Sequence, residues 1–328
     1  MTGISTLDIE PSAIRLLRER HYNATLVGLH TVHDELRILM VQPDGRASVS
    51  FEPGEYTVLG LGNWEPRVDG AAGDLAEDAE HPESGFDERL TKRAYSFSSS
   101  LIDEHGRLVF PTGQPFAEFY ITRVPNSSGH VPLLTPRLFA LNPGDRLFLG
   151  AKATGHYSLR HVRPEDNVVH IATGTGEAPH NAMIAWLLCS GHRGHIAAVT
   201  CVREKRDLGY LAAHRRIEQQ FTKYRYVTLT TREPENLDPS VPGYVGKRYL
   251  QEMLTSGELE REVGFDIEPT GIHVFLCGNP AMLGVPKDDE SGVPRYPEPT
   301  GMVELLTKRG FTIETPHSAG NLHFEKYW

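Results

Sequence analysis

NVVHIATGTGEAPHNAMIAWLLCS (residues 167–190) decides the architecture of the second half of this chain. NVVHIAT is an apolar run of strand length. It passes through Gly-Thr-Gly into a longer apolar-faced run with Pro179 near its start, where a proline's fixed φ suits a first helical turn. A buried strand, a glycine turn and a helix form one repeat of a parallel sheet covered on both faces. The rhythm recurs downstream. HIAAVTCV (195–202) precedes LGYLAAHRRIEQQF (208–221), YRYVTLTT (224–231) precedes VGKRYLQEMLTSGELE (245–260), and IHVFLCG (272–278) precedes NPAMLG (279–284). This pattern predicts an α/β doubly wound parallel sheet.

Upstream the rhythm differs. YNATLVGLHTVH (22–33), ELRILMV (35–41), EYTVLGL (55–61), RAYSFSS (93–99), AEFYITRV (117–124) and DRLFLGA (145–151) are short and rich in β-branched or aromatic residues. Turn signals such as QPDGR, EPGE and NPGD punctuate them, and TPRLFAL (135–141) is the one helix candidate among them. An antiparallel β-barrel or sandwich is expected. The boundary falls near 155–166, giving domains 1–160 and 161–328, and no internal repeat is found.

The net charge of −10 is unevenly placed: residues 64–90 hold nine acids against two bases, −7 in one Gly/Ala-rich insertion, and the remainder is only −3. That segment reads as a solvated loop or as a docking element for a basic partner. Nothing is basic enough for nucleic acid. No apolar run reaches the roughly 18–20 residues of a membrane span, and the first residues lack the apolar core of a secretory signal. Cys189, Cys201 and Cys277 are dispersed, which excludes a disulfide framework and a built-in zinc or iron–sulfur site. His192 and His195 have ligand-like spacing but no acidic or thiol companion, so a solvated turn is expected rather than a metal site. A monomer in a reducing cytoplasm fits these features.

Four stretches carry chemistry. KRAYSFSSS (92–100) sets Arg93 two residues before Tyr95, so an extended chain puts guanidinium and phenol on one face, suited to a flat anionic ligand. Gly174-Thr175-Gly176 lets backbone N–H groups approach a phosphate at a helix start, although such glycines serve structural turns equally often. It matches neither G-x-G-x-x-G nor a P-loop. FLCGNPAM (275–282) places Cys277 at a strand's carboxyl end, as a buried small hydrophobe or as part of a site opened by Gly278-Asn279-Pro280. Arg203 follows the second of these strands, Arg232 the third, and Lys247 and Arg248 start the next helix; each alone reads as solvated surface, but cations gathered on one edge suit an extra phosphate, as on the adenosine ribose of NADP. The sequence finishes with Tyr327-Trp328, two rings that stack on something flat or dock on the protein's own surface.

In this order, RAYS, EFYITRVP, LLTPRLFALNPGD, ATGTGEAP, VREKRDLGY, SGELEREVG, LCGNPAM and YW resemble the ferredoxin–NADP⁺ reductase family, in its bacterial type that closes in Tyr-Trp. The resemblance covers most of the chain, and its specificity lies in the ordered string rather than in any one motif. It implies an FAD-binding barrel followed by an NADP-binding α/β domain. It further implies hydride exchange with NADP(H) and single-electron exchange with ferredoxin or flavodoxin. Arg93, Ala94, Tyr95 and Ser96 match the flavin signature, with arginine on the pyrophosphate, tyrosine against the isoalloxazine and Ser96 near its N5. Tyr120 and Ile121 match the strand beside the ring, and Leu133, Leu134 and Thr135 the amides facing the flavin diphosphate. Thr175 matches the threonine between flavin and nicotinamide, and Cys277 the cysteine beside the hydride-bearing carbon. Arg203, Arg232 and Lys247 match the 2′-phosphate site, with Gly174, Gly176, Gly278, Asn279 and Pro280 in the flanking turns. Tyr327 and Trp328 match the terminal pair covering the isoalloxazine and adenine of FAD.

The chain departs from that pattern at Glu177, inside the phosphate turn, where a carboxylate repels a dinucleotide unless it turns away. It departs also at Lys247, which cannot make arginine's bidentate fork. The 64–90 insertion and VPKDDESGVPRYPEPTG (285–301) have no clear counterpart. Two rival readings stand beside the reductase: the reductase component of an oxygenase or other multi-subunit system, and a non-catalytic flavin- or nucleotide-binding regulator.

Overall fold

Apolar residues alternating along 24–43 fold back on themselves as the first hairpin of a six-stranded antiparallel sheet. The computed structural model describes residues 11–68, 88–123, 133–289, 293–315 and 317–327. Trp328, most of the 64–90 insertion and residues 290–292 of the 285–301 stretch lie outside the described residues.

The chain forms two compact units, Met1–Phe97 with Thr112–Thr154, and Ser98–Pro111 with Gly155–Trp328. The first contains α1 (Pro11–His21), β1 (Ala24–His33), β2 (Leu36–Pro43), β3 (Tyr56–Gly62), β4 (Leu90–Ser96), β5 (Ala117–Thr122), α2 (Thr135–Leu138) and β6 (Arg146–Leu149). Its sheet order is β4-β3-β6-β1-β2-β5, which leaves β4 at one edge and β5 at the other end of the row. Small residues permit close packing beside the edge strand. A Cβ on Gly60 would meet Lys92 at 3.0 Å and Phe148 at 3.3 Å, and the Lys92 ammonium lies 3.9 Å from the Phe148 ring centroid.

α1, read from sequence only as mildly amphipathic, docks through one carboxylate. Arg18 donates twice to Glu65, at 2.8 and 2.6 Å, and the Tyr22 hydroxyl donates to the same group at 2.9 Å while accepting from the Gly62 amide. Burial, followed by the Glu65 charge, raises the Tyr22 pKa far above the ordinary phenol value, so Tyr22 stays a donor.

The second unit contains β7 (Asn167–Thr173), α3 (Glu177–Cys189), β8 (Ile196–Val202), α4 (Leu211–Gln220), β9 (Tyr224–Thr230), α5 (Pro234–Leu237), α6 (Leu250–Thr255), α7 (Glu258–Val263) and β10 (Ile272–Gly278). It continues with α8 (Pro280–Leu283), the short hairpin β11 (Lys287–Asp288) and β12 (Pro294–Arg295), α9 (Met302–Lys308) and β13 (Leu322–Lys326). All pairings in the order β13-β10-β7-β8-β9 are parallel. Alternate residues of these strands enter two separate cores. Val169, Ile171, Val199 and Leu276 lie in one, and Val168, Ala198, Phe275 and Cys277 in the other, so both faces are covered.

Three elements differ from the sequence expectation. Residues 245–260 form no single helix: the chain becomes helical only at Leu250, and Gly257, at φ +71°, breaks it into α6 and α7. α9 carried no expectation. β13 is a fifth parallel strand, aligned with β10 from Val274↔Leu322 to Gly278↔Lys326, just before Tyr327, in a stretch for which no strand was expected. Its His323, Glu325 and Lys326 break the apolar run that identified the other strands.

Candidate functional site

The flavin-type candidates lie in the first unit. β4 runs antiparallel to β3 with Leu59↔Arg93 and Tyr56↔Ser96 in register, and the Arg93 side chain is exposed and donates to the Lys92 carbonyl at 2.8 Å. Tyr95 is half-buried. Burial pushes its pKa up to about 12, while a side-chain hydrogen bond with Thr135 and the Arg93 charge pull the other way. The strand bearing Tyr95 and the segment bearing Leu133, Leu134 and Thr135 are thereby brought together. Buried Arg137 steadies that segment, donating to the Leu133 carbonyl at 2.5 Å and the Asn63 carbonyl at 3.0 Å. Ser96, Tyr120 and Ile121 are buried and Ala94 is exposed. An exposed guanidinium on an edge strand, beside a phenol held by a helix-opening threonine, fits an extended anion with a flat end.

The nucleotide-type candidates lie at the carboxyl edge of the parallel sheet, where ligands of doubly wound folds bind. Two turns interlock there. A Cβ on Gly176 would lie 2.6 Å from the Cys277 carbonyl carbon, and one on Gly278 would lie 2.7 Å from the Thr173 oxygen. Gly278 has φ +127°, a conformation left to glycine, and the Asn279 amide donates to Thr173 Oγ1 at 2.7 Å. Gly174, at φ +53°, has nothing within 4 Å of a built Cβ, so the outer face of the turn is open. This tight rear and open front suit a backbone cradle for phosphate. Thr173, absent from the sequence candidates, ties the two turns together. Its position as the last residue of β7 was the available signal.

Arg203 and Arg232 are adjacent, because the Arg232 amide donates to the Arg203 carbonyl at 2.7 Å across the ends of β8 and β9. Lys247 is tied to the same edge. Asn236 donates to the Gly246 carbonyl at 3.1 Å and accepts from Thr230 Oγ1, near the end of β9, at 2.9 Å. All three cations are exposed and have no ion pair among the described residues. Half-exposed Tyr244 and Tyr249 stand close to Lys247 in the same segment of chain, and the sequence reading passed over them.

Cys277 is wholly buried. Burial, then the Glu325 charge, hold its pKa well above the thiol value against a hydrogen bond from Tyr327, so the thiol is neutral and unsuited to nucleophilic attack. Half-buried Tyr327 also donates its amide to the Gly278 carbonyl at 3.2 Å, which seats it on the second turn. Thr175 is buried within the first turn.

Glu177 turns inward, so the repulsion considered from sequence is redirected. Its Oε1 accepts from Tyr226 at 2.7 Å and from Thr200 and His214 Nε2 at 3.1 Å, with 1% of the residue exposed.

Residues 170–287 match the oxidoreductase NAD-binding domain. Over 234 residues the chain is 29% identical to a flavodoxin/ferredoxin–NADP reductase of Escherichia coli, covering 71% of this chain and 76% of that protein. It is 28% identical to ferredoxin–NADP reductase B of Sorangium cellulosum, over 62% and 75% of the two chains. In structure it resembles a ferredoxin NADP⁺ reductase from Neisseria gonorrhoeae with bound FAD and NADP, with a TM-score of 0.63, 15% identity and coverage of 93% and 97%. The chain thus shares the oxidoreductase NAD-binding domain over residues 170–287, is similar in sequence to proteins named ferredoxin–NADP reductases, and shares the antiparallel-then-parallel fold of the Neisseria structure.

Proposed function

We propose that this chain is an FAD-dependent oxidoreductase that exchanges a hydride with NADP(H) and single electrons with ferredoxin or flavodoxin. One observation carries the reading: three exposed cations, Arg203, Arg232 and Lys247, without an ion pair among the described residues, share the sheet edge that carries the interlocked glycine turns. Such an edge suits a dinucleotide bearing an additional phosphate. The relatives' names supply the electron partner.

FAD, when bound, supplies the two-electron to one-electron conversion. The chain's own residues bind, orient and exclude water. Arg93 counters the flavin diphosphate from the edge strand, with the amides of Leu133–Thr135 facing it. Tyr95, held by Thr135, lies against the ring system, bordered by Ser96, Tyr120 and Ile121. Gly174, Thr175 and Gly176 offer backbone donors to the nicotinamide dinucleotide, and Gly278, Asn279 and Pro280 form the opposing wall. Cys277 packs as a neutral thiol beneath Tyr327, so no acid or base is required of it. Tyr327, seated on the Gly278 turn, would occupy the place of the nicotinamide until displaced. The electron-transfer domains are 1–160 and 161–328, in a monomer that works in the cytoplasm.

The purified chain supplied with FAD should acquire flavin absorption and reduce ferredoxin or flavodoxin with NADPH in preference to NADH. Failure to take up FAD refutes the reading outright. FAD uptake with NADPH-driven dye reduction, but with transfer only to a partner oxygenase, transfers the chain to the oxygenase-reductase class.

A further inference from the structure

Between α5 and α6 the chain makes an excursion without a helix or strand, residues 238–249, and Lys247 lies on its returning limb. Inside the excursion the backbone turns on itself, the Val241 amide donating to the Asp238 carbonyl and the Tyr244 amide to the Val241 carbonyl, both at 3.1 Å. Its neck is closed by α5. The Glu235 carbonyl accepts the Val245 amide at 2.9 Å and the Gly246 amide at 3.2 Å, and Asn236 Nδ2 donates to the Gly246 carbonyl at 3.1 Å. α5 has an inverted burial pattern: its Asn236 is 5% exposed while its Leu237 is 52% exposed. A short helix that buries an amide and leaves a leucine in water is organised around the hydrogen bonds of that amide rather than around apolar packing.

The partners fix which way the amide points. Asn236 Oδ1 faces the Glu233 amide at 3.1 Å, a group that can only donate, and Nδ2 faces a carbonyl, which can only accept. Oδ1 also receives Thr230 Oγ1 at 2.9 Å. One side chain therefore joins the end of β9, the residue after Arg232 and the residue before Lys247. The two arginines are joined without it, because the Arg232 and Thr231 amides reach the Arg203 carbonyl directly, at 2.7 and 3.2 Å. Lys247 is linked to them through Asn236 and the neck at Glu235, while the Arg248–Glu258 pair fixes the chain on its other side.

We propose that Asn236 is a positioning residue for the choice between NADP(H) and NAD(H): it holds Lys247 beside Arg203 and Arg232, so that the three cations serve one phosphate. This rests on the NADP(H) reading above and assigns part of its selectivity to an uncharged side chain that need not touch the nucleotide. A lysine is a point charge on a flexible stem, and holding it against a phosphate already costs side-chain freedom. A backbone free to wander would add to that cost, and the neck removes the addition. The effect is confined to the extra phosphate. The groups common to both nucleotides are met by the turns at Gly174–Gly176 and Gly278, and the bonds of Asn236 go to Thr230, Glu233 and Gly246 instead.

Equilibrium titration of the FAD-loaded protein with adenosine 2′,5′-bisphosphate, together with kcat/KM for dye reduction by NADPH and by NADH, tests this. N236A should bind the bisphosphate about five- to ten-fold more weakly than wild type, the order expected when one exposed ammonium leaves a phosphate. Its kcat/KM should fall by a similar factor with NADPH and stay within about two-fold with NADH. K247A should show the same loss of bisphosphate binding, and N236A should add less than about two-fold in the K247A background, because it acts through that lysine. Should N236A fail to fold, T230V, which removes the hydroxyl anchoring Oδ1 to β9, should weaken the bisphosphate about three-fold and lose that effect in the K247A background. Unchanged bisphosphate binding, an equal loss with NADH, or an undiminished further loss in the K247A background overturns the proposal, for either variant. Wild type that uses NADPH no better than NADH refutes the NADP(H) reading and this proposal together. Wild type that prefers NADPH, with both variants unaffected, refutes this proposal alone.

Discussion

Gly278→Ala tests whether the interlocking of two strand-end turns is what shapes the nucleotide site. The added methyl would meet Thr173 at 2.7 Å from its carbonyl oxygen and 3.1 Å from its nitrogen, both backbone atoms of the central strand. Ordinary contact needs about 3.4–4 Å, so the β10 turn must retreat from β7 by the order of 1 Å, and the φ of +127° must also be abandoned or strained. Overpacking against backbone costs about 1–3 kcal/mol and the strained φ about 1–2 more, or roughly 3 kcal/mol together. At about 2–4 °C per kcal/mol, a unit of this size should melt some 6–12 °C lower. A displacement near 1 Å between Thr175 and the Asn279 turn should reduce NADPH-driven dye reduction about 10²-fold. Gly113→Ala is the matched control, since nothing lies within 4 Å of its Cβ although its φ is +81°. Thermal unfolding and steady-state kinetics of the FAD-loaded pair decide the matter. If Gly278→Ala behaves like Gly113→Ala, the turns do not brace one another.

Arg203→Ala combined with Arg232→Ala should raise the KM for NADPH about 30- to 100-fold and leave that for NADH within two-fold, because only the former carries the extra phosphate. Equal losses for both nucleotides would remove these arginines from phosphate recognition. Burial, followed by the His323 charge, lowers the His273 pKa to about 4, and burial lowers that of His170 to about 3, against an unfolded value near 6.5. The folded state thus resists protonation. The associated stability is full above about pH 6.5 and is lost as pH falls towards 4, by the order of 5 kcal/mol. Urea unfolding at pH 7 and pH 5 measures the loss, and coincident midpoints contradict it. Glu65→Ala leaves Arg18 and Tyr22 without their acceptor and should cost about 2 kcal/mol. Arg20→Ala breaks only the exposed pair with Glu88 and should cost under about 0.5 kcal/mol, so equal costs would deny α1 its docking through Glu65.

How much was legible in the sequence follows from where each signal resides. β7, β8 and β10 were readable because both of their faces are buried, so burial alone dictates an apolar run. β13 escaped because it is an end strand whose polar residues serve the packing. His323 stacks on Phe275 at 4.2 Å and bonds to His273 at 3.0 Å, a buried arrangement spelled in letters that read as surface. The same rule separates the site residues. Arg203 and Arg232 could be placed at strand ends from sequence alone, because the role proposed for them depends only on which edge they occupy, and topology supplies that. Glu177 could be flagged as an intruder in a phosphate turn, but its direction could not be read. Whether it faces outward or inward is decided by Thr200, His214 and Tyr226, which lie 23, 37 and 49 residues away and share no periodicity with it. Backbone-determined features such as turns, strand ends and glycine conformations are local and survive in a single sequence. A buried polar network is a set of long-range matches, and until the partners are assembled each member looks like a misplaced surface residue.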